Sequence, residues 1–415
     1  MNTIDAATTV TVDAAMASTI TGTVANVKTA IAAAGITTAT DYAVTLSDAG
    51  VSVADANTVD ADTTGVITAT ITSGTAAALA ALTGTGNAYT TTVTAGSAAA
   101  ADLNTIDAAT TVNVDAALAS TITGTVANVK TAIAAAGITT ATDYAVTLSD
   151  AGVSVADANT VDADTTGVIT ATITSGTAAA LAALTGTGNA YTTTLSAGSA
   201  AATDLTSIDA KTTVAVGASA ATTLTGTAAE IQAAYTANTA GTITGLGDEI
   251  ATASDSGSVA ATVLTDLDAV TTGAVGFASV TTLTGTAAQI QAAYTANTAG
   301  TITGLGNEIV TLSGTTSATD MGTVANLSTG AVSATALALA NGTINNLAAG
   351  DTFGTGLTFT THTSAVLAND ANLQWNLTGT MLTIETVADS STNIMIMLTG
   401  MASVSEAGGV FTITG

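Results

Sequence analysis

Four aspartates, Asp48, Asp55, Asp60 and Asp62, lie within fifteen residues of one another, and Asp150, Asp157, Asp162 and Asp164 repeat them at the same spacing. Carboxylates near chain turns are what a hard cation such as Ca²⁺ requires, since it is held by about six to eight oxygen ligands. These eight residues are the expected calcium ligands, although the glycine-rich nonapeptide of calcium-binding β-rolls is absent. Asp55 also has a plain structural use: with Ser52 three residues before it, it forms a capping box at the start of a helix.

Other chemistry has little to work with. His362 is the one histidine, Lys28, Lys130 and Lys211 are all the basic residues, and there is no cysteine. A nucleophilic triad or an arginine-clamped phosphoryl transfer lacks its parts. Paired carboxylates for glycoside hydrolysis lack the basic and aromatic residues that grip sugar. The stretch from Gly241 to Glu249 has no lysine and no following apolar helix, so it reads as a turn rather than a phosphate loop. No enzyme is expected.

Thirty acidic residues against three basic ones give a net charge of −27. This removes attraction to a phosphate backbone and to an anionic bilayer, and no apolar run is long enough to insert into a membrane. Neither nucleic acid nor membrane is expected as a partner. The start, MNTIDAATTV, has no basic segment or apolar core of a secretion signal, so if the chain is exported something else directs it.

The elements that must position these residues are repeated. Residues 1–102 return as residues 103–204 with six differences, and the stretch from Thr222 returns from Thr281 with two. Within them a shorter unit of about fifty residues recurs seven times up to roughly residue 340, as in arrays whose units pack on their neighbours. Each unit reads helix, strand, short strand, helix, strand. Helix caps are expected at Ser52, Ser154, Ser317, Thr227 and Thr286, and also at Ser97 and Ser199. Val24, Val27 and Ile31 form one helical stripe, and Tyr42, Val44 and Leu46 one strand face. The expected fold is therefore a β-rich α/β repeat array, solenoid-like, made of repeat pairs 1–102 and 103–204 and degenerate repeats 205–339. An all-β C-terminal domain over 340–415, containing His362 and Trp375, follows. Paired threonines such as Thr68/Thr70 and Thr90/Thr92 suggest ice-facing ladders, but over a fifty-residue period their positions drift, and β-propensity accounts for them.

The segments ITGTVANVKTAIAAAG, LTGTAAEIQAAYTANTAGTITGLG and VTLSDAGVSVADANTVDADTTG resemble the Ala/Thr-rich β-strand repeats of giant cell-surface proteins of marine cyanobacteria and other Gram-negative bacteria. The resemblance covers about residues 1 to 340. It implies an extracellular location, type I export through an uncleaved C-terminal signal, and a surface-layer or adhesin-like role.

The expected function is an extracellular structural protein, a self-assembling subunit of a surface layer, sheath or filament, with Ca²⁺ as its cofactor. Its expected partners are copies of itself, head to tail, and cell-surface glycan. The contact is expected to join the face near Met1 to the alternating strand containing Val410, Phe411 and Ile413. The alternative is an adhesin stalk or an ice- or glycan-binding module.

Overall fold

Alternation of apolar residues with threonine sets the strands, because successive side chains of a strand face opposite ways. Tyr42, Val44 and Leu46 are buried on one face of their strand while Thr45 between them is exposed. Ile67 and Ala69 are buried likewise, with Thr68 and Thr70 outside. The computed structural model describes residues 1–337 and, beyond them, eight strand segments between 342 and 414 of which the backbone is described.

The repeated strands pair in parallel. Thr19 faces Ala43, Val44 faces Ile67, Thr68 faces Ala88 and Thr91 faces Val114, so each partner lies roughly two dozen residues further on. Parallel neighbours need a crossover, and short helices supply it. Val24–Ala32 joins the Thr19–Gly22 strand to the Ala43–Leu46 strand, and Val53–Asp60 joins the latter to Ile67–Thr70. The structural unit is thus one strand–helix passage of about half the length expected from sequence. Two consecutive passages differ in side chains and so look like one fifty-residue unit. A parallel ladder needs only a backbone and small or β-branched side chains, so unlike sequences pair with like geometry.

The chain forms two compact units. The first holds a six-stranded sheet running from Thr19–Gly22 at one edge to Ile138–Thr140 at the other, and a five-stranded sheet from Gly96–Ala99 to Ala190–Thr192. The second holds a five-stranded sheet from Gly198–Ala201 to Ile302–Thr303. Its seven-stranded sheet starts at Gly257–Ala260 and continues through Val332–Leu337 into Thr352–Gly354, Val410–Thr414 and Ser403–Ala407. Strands of the 340–415 segment therefore extend a sheet begun by the preceding repeats, while five others, among them Leu373–Thr378, form a sheet of their own. His362 lies outside the described residues.

The helices start where hydroxyls can satisfy their first amides. Ser52, Ser154 and Ser317 accept from the amides of Asp55, Asp157 and Asp320, and full capping boxes join Thr227 with Glu230 and Thr286 with Gln289. Ser97 and Ser199 do not cap. Both lie in strands, and the helix after Ser97 opens at Ala100 behind Ala99 with no side-chain cap, because the strand runs directly into it. On Val24–Ala32 the buried residues are Val27 and Ala30, with Val24 and Ile31 half-buried beside them. The largest fully buried side chains are Tyr42, Tyr89, Tyr144 and Tyr191, set among Ala, Val, Ile and Leu. Gly65 permits the close passage of one repeat over the last: a Cβ there would lie 2.3 Å from the Tyr42 carbonyl oxygen.

Candidate functional site

The eight aspartates do not converge in threes on one point. Asp48 sits at the N-terminus of the Val24–Ala32 helix, where its Oδ2 accepts the Val24 amide at 2.7 Å; Asp150 does the same for Val126, and Asp255 for Ala228 at 2.6 Å. A carboxylate there satisfies an amide that the helix leaves open and meets the positive end of its dipole. Asp55 accepts from Ser52 Oγ at 2.8 Å and pairs with Lys28 at 2.6 Å; Asp157 pairs with Lys130 at 2.7 Å. The lysine ammonium, then the serine hydroxyl, hold both carboxyls below their ordinary range.

Asp60 turns to the following repeat. Its Oδ2 accepts from Thr83 Oγ1 at 3.1 Å and its Oδ1 from Asn87 Nδ2 at 2.9 Å, and Asn87 in turn accepts the Ile67 amide at 2.8 Å. Asp162, Thr185, Asn189 and Ile169 repeat this network. Asp62 accepts from the Tyr42 hydroxyl and Asp164 from that of Tyr144.

Each pair of copies thus makes the same four kinds of bond, and of the second copy's four aspartates Asp150 and Asp157 border one open cavity together with Lys130. Among the described residues no three acidic or histidine side chains form a group that could hold a metal ion. A calcium cage needs carboxylate oxygens converging on one point, whereas these oxygens face amides, hydroxyls, an amide side chain and an ammonium. In the fold the four residues lie just after a strand, on the first and last turns of a helix and on the turn beyond it.

Three sets of polar residues escaped the sequence reading. Thr63 donates its hydroxyl to the Tyr42 carbonyl at 2.6 Å, Thr110 to Tyr89 at 2.8 Å and Thr165 to Tyr144 at 2.6 Å. Asn87 and Asn189 are almost wholly buried. Glu249 and Glu308 are buried too: each accepts from a tyrosine hydroxyl, Tyr235 at 3.2 Å or Tyr294 at 2.8 Å, and from a glycine amide two residues before it. The signal was a Thr-Thr or Ser-Thr pair followed by Gly or Val at regular intervals, which composition alone presents as turn.

All six tyrosines are held above their ordinary ionisation range, in each case chiefly by burial. Beside Tyr42 and Tyr144 the bonded aspartates add to the effect, and Tyr235 is pushed up to about 12.

Of the residues expected at the assembly contact, Met1 borders an open groove. Val410, Phe411 and Ile413 lie in Val410–Thr414, which pairs antiparallel with Thr352–Gly354 on one side and with Ser403–Ala407 on the other. That strand has neighbours on both sides, and Ser403–Ala407 is the edge of the sheet. No helix among the described residues is long and apolar enough to cross a membrane. Comparison with protein-family models, curated proteins and solved structures gives no match.

Proposed function

We propose that the chain is an extracellular structural protein, a self-assembling subunit of a surface layer, sheath or filament whose strand–helix passages stack in solenoid fashion. The observation that carries this reading is the use made of its polar side chains. Asp48, Asp60, Asn87, Thr63 and their copies bond from one passage to the next, at separations of 20 to 27 residues. Side chains so engaged fix the spacing of an array. The reading assigns no reaction to the chain. Electron microscopy of the purified protein, with and without Ca²⁺, tests it: ordered polymers support it, and dispersed monomers in both conditions refute it.

A second reading has an observation of its own. Thr21, Thr45 and Thr68 stand opposite one another on adjacent strands and are all exposed, and Thr123, Thr147 and Thr170 are aligned in the same way. Over these three strands the threonines hold register, and each row ends at the next strand, on Ala88 and Ala190. An in-register hydroxyl row is a surface on which an ice- or glycan-binding module could be built, and ice-shaping activity of dispersed monomers would favour it.

A further inference from the structure

The sheets of the first compact unit present hydroxyls that the protein itself does not use. Thr21, Thr45 and Thr68 form one row across three strands, and a second row starts on the last of them, where Thr70 faces Thr90. All five are exposed. The second long repeat rebuilds both rows, as Thr123, Thr147 and Thr170 and as Thr172 with Thr192, with Thr123 half-buried and the other four exposed. Among the described residues no hydrogen bond engages these ten hydroxyls. The second unit uses the matching groups internally. Thr225 and Thr284 donate to the Ala200 and Val259 carbonyls of the neighbouring strand at 3.4 and 3.3 Å, Ser333 donates to Val310 at 3.2 Å, and Gly276 interrupts the row after Thr252.

The rows also lack what most ligands require. Their strands hold no charged residue, in a chain of net charge −27, so neither an ionic mineral nor a charged partner is matched there. Protein interfaces are anchored by aromatic and arginine side chains, and sugars stack on exposed rings. All six tyrosines are buried and the chain has no arginine. What the face offers is regularity. Neighbouring strands are about 4.8 Å apart, and residues two apart along a strand about 6.7 Å. Branching at Cβ fixes each threonine's χ1, so hydroxyl and methyl stand in preset places and little rotamer freedom is lost on contact. Each hydroxyl both donates and accepts, as every water molecule of an ice lattice does.

We propose that the threonine rows of the first unit bind the surface of ice, a proposal that rests on the second reading above and names its ligand. One hydroxyl exchanging liquid water for lattice water gains almost nothing. A row in register gains at every strand without further ordering, so the activity belongs to the rows and not to single residues.

The test grows ice slowly from a solution of the whole chain and compares protein in the ice with protein in the liquid. The wild type should be enriched in the ice and should hold seed crystals from growing just below their melting point. Tyrosine suits exposed strand positions, so Thr45→Tyr combined with Thr147→Tyr should keep the protein's melting temperature. The bulky rings lift the lattice off both rows, and the freezing-point gap should fall at least about fivefold. Thr252→Tyr, in the second unit, should change nothing. Exclusion of the wild type from ice, an unchanged gap in the paired variant, or an equal loss with Thr252→Tyr would overturn the proposal. Retention on insoluble cellulose or chitin, lost in the paired variant, with exclusion from ice would remove this proposal and leave the glycan-binding form of the second reading standing. Retention on neither would remove both.

Discussion

Asp48 accepts the amide of Val24 at 2.7 Å, and the two are 24 residues apart in sequence. The bond joins the end of one strand to the start of the helix before it, so a residue of one repeat completes the helix of its neighbour. Asp48→Ala removes that acceptor and the favourable charge at the helix end. A loss of about 1 kcal/mol is expected, and Asp48→Asn should retain part of it. Chemical denaturation measures both. Asp150→Ala should cost as much again, since the two sites share no partners.

Val27 is 1% exposed, on the face of its helix that meets the sheet. Val27→Asp places an unpaired charge there, and a loss of several kcal/mol should follow. A melting curve indistinguishable from that of the wild type would show that this face does not bear the packing.

Alkaline titration addresses the buried tyrosines. All six have folded-state values above the ordinary one. A raised value means that the folded chain holds the proton more tightly, so this contribution to stability is full below about pH 10, where an unfolded tyrosine titrates, and is lost as pH climbs through the folded values. Tyrosinate absorbance should therefore appear together with loss of circular dichroism, well above pH 10. A smooth titration centred near 10 with the fold intact would contradict the burial.

Calcium makes a separate case. The aspartates face different partners and do not converge, so removing free Ca²⁺ with a chelator should leave the melting temperature unchanged. A rise that grows with the logarithm of free Ca²⁺ would show that the folded chain binds the ion and that these carboxylates regroup to do so.

Local signals in the sequence were the readable ones. Ser52 with Asp55 and Thr227 with Glu230 sit three residues apart, and a cap needs nothing beyond that stretch of chain. The buried face of Tyr42, Val44 and Leu46 follows from alternation alone. The length of the structural repeat was hidden, because pairing such as Val44 with Ile67 depends on backbone register between passages of unlike sequence. Ser97 failed as a cap for a related reason: its strand is fixed by Thr121 on its neighbour, a partner far along the chain. The bond from Asn87 to Asp60 was hidden likewise, since the helix and the turn that carry them meet only once the repeats are stacked.

Sedimentation velocity over a wide range of protein concentration tests the proposal of self-assembly most directly. If copies join head to tail, the weight-average sedimentation coefficient should climb steadily with concentration, with species many times the 39.4 kDa of one chain. A single species of 39.4 kDa at every concentration would contradict it.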